Sequence, residues 1–251
     1  MNKAGLSGIL KNNYIAGWDD LAKLIEFFSS HNGDDWLFRG VSSHDHKLVP
    51  KVGRPTRKIK GQGRARRSLP YTEPDEIAIF NQFRDVSMPF LPRPPSTEIE
   101  WLALAQHHGL PTRFLDWTQS LLVAAWFAVG VYEPGARARA PAIWVVRDVP
   151  RVIDAERDNV FTIKEPRSYR PPHLSPRIAA QSSVLTIHGT PTRPFTHSAM
   201  WQFRIARHQF FTLKKRIDAC GINERTLFPG LDGIAKDLAW RYKNNYLAGY
   251  R

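Results

Sequence analysis

The chain has 251 residues, 42% of them hydrophobic and 12% aromatic, enough for a substantial core in one large domain or two small ones. Lysine and arginine number 36 against 23 aspartate and glutamate, a net charge of +13 that points to polyanionic partners. The longest apolar run, residues 121–132, is too short to cross a bilayer, and the N-terminus has no signal-peptide pattern, so a soluble, cytoplasmic protein with no membrane partner is expected.

After an N-terminal lead over residues 1–17, apolar residues at 18, 21, 24, 25 and 28 in "WDDLAKLIEFF" have the spacing of one helical face. "GDD" breaks that helix, and "WLFRG" reads as a short buried strand ending at Gly40. "GRPTRKIKGQGRARRS" follows as a flexible basic loop, assigned to residues 51–70. Lys51, Arg54, Arg57, Lys58, Lys60, Arg64, Arg66 and Arg67 fall in it with no acid between them, which suits the phosphates of DNA or RNA. "EPDEIAIFNQFRDVSMPFL" predicts a second helix with Pro74 in its first turn, and Ser96 or Thr97 caps a third that stops at Gly109.

An extended "TRFLDW" leads into a fourth helix from about Gln119 to Val129, with Asp116, Thr118 or Ser120 able to cap it. Beyond it "APAIWVVRDVP", "NVFTIK", "SSVLTIHG" and "WQFRIAR" read as strands, and "HQFFTLKKRIDACGI" and "GLDGIAKDLAWRYKNN" as helices. With no repeating βαβ unit, the pattern predicts a single α+β domain over residues 18–245, its helices packed around a mixed or split β-sheet core. The single cysteine, Cys220, excludes an internal disulfide and a Cys-rich zinc site, and it reads as a buried helix end closed by Gly221.

Chemistry concentrates in two places. Arg39 ends an apolar strand, so its guanidinium needs a partner, either an internal carboxylate such as Asp116 or the phosphate of a ligand. The glycine after it, Gly40, lets another group approach the backbone. "QHHGLPTRFLDWT" then places Gln106, His107, His108, Arg113, Asp116, Trp117 and Thr118 at the meeting of two helix ends, more polar groups than one cap requires. No phosphate-binding P-loop, serine-hydrolase elbow or zinc-protease motif occurs, and "GQG" at 61–63 lacks the strand and helix of a dinucleotide fingerprint. His44, Asp45 and His46 in "SHDHK" lack a third strong ligand type nearby, so no metal is expected.

"WLFRG", "LVPKVGR", "LAQHHGLPTRFLDWT" with "AAWFA", "RIAAQSSVLTIHG" and "TLFPGLDGIAKDL" together resemble the FRG domain, named for the triplet here at Phe38, Arg39 and Gly40. The resemblance runs over about residues 20–243. The same blocks are similar in order to the ADP-ribosyltransferases, in which a first-strand arginine holds NAD and a later strand opens with a catalytic glutamate. Gln181 falls where that glutamate would be.

This second resemblance implies an ADP-ribosyltransferase-like fold with NAD as substrate. Arg39, Gln181, Asp116 and Thr118 would be the catalytic group, and Phe38, Arg39, Gly40, Gln106, His107, His108, Arg113 and Trp117 would bind NAD. The basic run would guide a nucleic-acid acceptor. Glutamine keeps a hydrogen bond but not the charge that stabilises a cationic sugar, which leaves Asp116 or Glu165 as the carboxylate. By analogy, such an activity implies a toxin or antiphage effector with an inhibitor partner. The alternatives are a non-catalytic nucleic-acid or nucleotide-binding module, in which Arg39, Arg113 and Asp116 form one buried ion-pair network, and a metal-independent nuclease with His107 or His108 as base.

Overall fold

The computed structural model describes residues 6, 8–31, 35–55, 57–59, 67–130, 139–151, 159–172 and 179–246. Helix α1 (Trp18–Ser30) buries Leu21, Leu24 and Phe28 along the face read from their spacing. Helices α2 (Glu73–Ser87) and α3 (Glu98–His107) both open on reciprocal capping boxes, Thr72 with Asp75 and Thr97 with Glu100. Helix α4 (Leu121–Gly130) has almost no polar face, and seven of its residues are buried. Of its three candidate caps Ser120 does the work, its Oγ accepting from the Val123 amide. Helices α5 (Phe210–Ala219), α6 (Glu224–Leu227) and α7 (Leu231–Lys243) follow.

Among the described residues the strands are β1 (Tyr14–Ile15), β2 (Trp36–Val41), β3 (Arg57–Ile59), β4 (Arg67–Leu69), β5 (Phe114–Thr118), β6 (Ala142–Arg147), β7 (Arg167–Tyr169), β8 (Ser183–Ile187) and β9 (Met200–Ile205). Seven of them form one sheet in the order β1-β9-β6-β2-β5-β8-β7, antiparallel except for the edge pair β1–β9. The mixed sheet and its helices make the α+β architecture expected. Several boundaries differ from the sequence reading. Residues 159–164 form a turn closed by Thr162 N–H to Asn159 O, not a strand, because Val160 and Phe161 turn inward to serve Arg113. Residues 57–59 and 67–69 pair as antiparallel strands inside the basic segment read as a loop. In the N-terminal lead, Leu6, Leu10 and Ile15 enter the main core, and β1 extends the sheet. Cys220 does close α5 ahead of Gly221 in the left-handed region, but it is exposed, not buried.

Strand alternation sorts the core. Trp36 and Phe38 of β2 face α1, α4 and α5, whereas Leu37 packs on the other face with Leu115, Trp117 and Phe195. Helix α3 covers the β5–β8 half of the first face through Leu102, Phe114, Leu185 and Ile187. Gly40 explains how α4 sits so close to β2. A Cβ built there would lie 2.0 Å from the carbonyl oxygen of Ala124 and 2.5 Å from the amide nitrogen of Ala128. The group that approaches the backbone of Gly40 is therefore this protein's own helix.

Candidate functional site

The centre of the sheet contains an opening. β2 pairs with β6 over six positions and β5 pairs with β8 over five, yet β2 and β5 share a single register pair, Phe38 with Thr118. Beyond that pair the two strands part, and the ladder no longer supplies a donor for the carbonyl of Asp116. Arg39 fills the role: its Nη1 donates to Asp116 O and lies 3.8 Å from Asp116 Oδ2. The guanidinium is thus a substitute rung where the sheet is split, and it answers the need of a partly buried cation for acceptors.

A cavity of about 430 Å³ lies at this split, between α3 and α4. Phe38, Arg39 and Gly40 enter it from β2, and Asp116, Trp117 and Thr118 from β5. Gln106, His107 and His108 come from the end of α3, and Gln181 from the turn before β8. These residues, scattered over the sequence, share one wall-to-wall space. Lys51, assigned with the basic run, also lines it. Ala103, Gly109, Phe127, Pro171, Ser183 and Leu185 complete the lining.

Asp116 is the one carboxylate among the described lining residues, with its side chain 59% exposed. Its orientation is set by a short relay. Thr112, fully buried, donates from Oγ1 to Gln106 Oε1, and Gln106 Nε2 donates to Asp116 Oδ2 at 3.0 Å. Because the Asp116 carboxylate can only accept, the Gln106 NH₂ faces it and the Gln106 oxygen is left to accept from Thr112. Thr112 was missed from sequence; a small polar residue at a strand entrance has no distinguishing pattern. His107 and His108 stack edge to face with ring centroids 5.1 Å apart.

Arg39 carries two opposed influences. Burial pushes its pKa down, the Asp116 carboxylate pulls it back up, and the nearby Arg54 guanidinium pushes it down again. His188, also missed from sequence, is buried and held to about 4, first by loss of water and then by the positive charge of Arg39. Its Nε2 lies 2.8 Å from Thr186 Oγ1, which also accepts from Trp117 Nε1. A neutral imidazole here adds no further charge beside Arg39.

The structure separates Arg113 from the cleft. This arginine is fully buried on a different flank, where Glu76 takes its Nε and Nη2 in a fork and its backbone amide as well. Phe161 lies under the guanidinium at 4.6 Å, and the carbonyls of Val160 and Phe161 accept from Nη1. Arg113 is a satisfied structural ion pair and not a lining residue of the cavity; Arg39, Arg113 and Asp116 do not form one network. Glu165 is exposed and outside the lining. Gln181 lines the cleft, but its side-chain amide donates to Leu227 O at 3.0 Å and its carbonyl accepts from Thr118 Oγ1 at 2.7 Å.

Of the basic run, Arg54 donates from Nε to Val49 O, and Lys51 reaches the cavity rim. Lys60, Arg64 and Arg66 lie outside the described residues, as do the side chains of Arg57, Lys58 and Arg67. His44 pairs with Asp45, which also meets Arg139, and among the described residues no three of His, Cys, Asp and Glu gather as metal ligands. Among the described residues no helix is long and apolar enough to cross a membrane.

No curated protein and no solved structure matches the chain. A family match does exist, to the FRG domain over residues 34–135. That span runs from the entrance of β2 past the end of α4, and so contains both strands of the split, Arg39, the Gln106–His108 corner and Asp116. The chain therefore carries an FRG domain over these residues, and the cleft is built around it.

Proposed function

We propose that the cleft binds NAD as a substrate and that the protein transfers ADP-ribose to a nucleic acid. The observation that carries this reading is the split between β2 and β5, which places a partly buried arginine, a hydrogen-bonded carboxylate and a polar helix end in one cavity. Its volume falls in the range of small-molecule sites, roughly 300–1,000 Å³. Arg39 and Lys51 would hold the pyrophosphate, and Gln106, His107, His108 and Trp117 would wall the nicotinamide end.

Bound NAD supplies a glycosidic bond whose electrons leave with neutral nicotinamide. The acceptor then bonds to the ribose carbon and gives up a proton. Asp116 is the group in the described lining able to face the positive sugar and to accept that proton. Its exposure leaves room for an acceptor, and the Thr112–Gln106 relay keeps it aimed. The basic segment, rooted at Lys51 on the rim, is the natural lead for a nucleic-acid strand. Such an activity would suit a toxin or antiphage effector restrained by an inhibitor.

A second reading, a module that binds nucleotide or nucleic acid without transfer, is favoured by one fact: Arg39 and Asp116 already engage each other. The two are separated by incubating the protein with labelled NAD and DNA, RNA or cell extract. Released nicotinamide and transferred label are expected for the native protein, with at least a hundredfold loss in Arg39→Ala. Equal reaction of the two proteins sinks the transferase reading.

A further inference from the structure

Two walls of the cleft are fastened to the same short turn near the C-terminus, outside the matched FRG span. Gln181 Nε2 donates to Leu227 O at 3.0 Å. Phe127, on the opposite wall, packs edge to face against Phe228, the next residue, with centroids 6.2 Å apart. The turn is itself fixed from both sides. Asn223 and Thr226 form a capping box at the start of α6. Past the turn, a Cβ added at Gly233 would lie 1.9 Å from Phe228 O, so the first turn of α7 is pressed against the same backbone.

We propose that Gln181 is a positioning residue that sets the cleft wall by tying it to residues 223–233, and that an amide is required there because the position must donate. A backbone carbonyl can only accept, so the Gln181 NH₂ faces Leu227. An ionised glutamate has no proton to offer and would place its charge against the carbonyl oxygen. The backbone of Gln181 is held as well, through the Thr118 hydroxyl, so a change at residue 181 reaches Thr118 on β5. Gln181 therefore differs from a catalytic carboxylate in kind: it acts through the wall and not on the sugar. The ligand consequence of this bracket rests on reading the cleft as the NAD site; the bracket itself does not.

The test uses the full chain with Gln181→Glu and the uncharged, near-isosteric Gln181→Met. Amide hydrogen exchange near pH 7 is expected to quicken about tenfold at residues 223–233 and 118–130 in both variants, with α2 and β6 unchanged. In the NAD reaction KM is expected to rise about tenfold while kcat stays within about twofold. Unchanged exchange at residues 223–233, a uniform rise over the whole molecule, or higher NAD turnover in Gln181→Glu overturns the proposal. If the native protein does not turn over NAD, the transferase reading fails and the exchange arm alone decides the bracket.

Discussion

Arg113 is fully buried and Arg39 is partly buried, yet only Arg113 has a matched partner. Glu76 gives Arg113 a full fork of charged hydrogen bonds, which makes it part of the scaffold. Arg39 has one carbonyl and a carboxylate at 3.8 Å, a looser set that a phosphate fork could better. The sequence could not distinguish these two arginines, since each follows or precedes an apolar strand and the partner of each lies far along the chain. His188 adds a measurable consequence. Its folded pKa of about 4 lies below the ordinary 6.5, so above pH 6.5 both folded and unfolded states are neutral and nothing is lost. As pH falls from 6.5 towards 4, the unfolded chain takes a proton that the folded one refuses, and stability drops. Between pH 7 and 5 this amounts to about 2 kcal/mol. Urea unfolding of the native protein and His188→Gln at the two pH values should show that difference, with the smaller pH slope in the variant; equal slopes would place the titration elsewhere.

At the scale of elements, the junction between β2 and α4 depends on the missing side chain at Gly40. Gly40→Ala would drive a methyl group into the Ala124 carbonyl and the Ala128 amide, both of them helix backbone. Neither atom can rotate away, so α4 must shift off the sheet. We expect a loss of about 3 kcal/mol in chemical denaturation, at the upper end of ordinary overpacking. A loss below about 0.5 kcal/mol would mean that the helix is free to move. The helices themselves were legible because capping boxes and apolar spacing are local signals, as at Thr97–Glu100 and Leu21–Leu24–Phe28. The turn at 159–164 was misread for the converse reason. Val160 is apolar because its side chain is buried in the core with Phe80 and Leu102 while its carbonyl accepts from Arg113, and an alternating pattern cannot reveal a contact made across the fold.

For the molecule as a whole, +13 is a strong bias towards polyanions, and the basic segment begins on the rim of the cleft. Replacing Lys58, Lys60, Arg64 and Arg66 by alanine removes four charges. If the segment holds nucleic acid, the slope of log affinity against log salt should fall by about 3 to 4 for a duplex. Filter binding over a salt series measures it, and an unchanged slope would show that these residues do not touch the phosphates. Lys51→Ala belongs in the same series because its side chain faces the cleft, where NAD and nucleic acid would compete for it.

Sequence alone determined the α+β class, most helices, the FRG motif and the concentration of polar residues from Gln106 to Thr118, because each is written in residues close together along the chain. Tertiary structure decided which of those residues meet. Arg39 and Asp116 lie far apart in sequence and become neighbours only because β2 and β5 separate after one register pair. Arg113, inside the same motif as Asp116, lies just before β5 and is held on another flank by a glutamate on α2. Gln181 reads as a failed glutamate in one dimension. In three it is a donor to Leu227, and its chemistry follows from a carbonyl that no local pattern could announce.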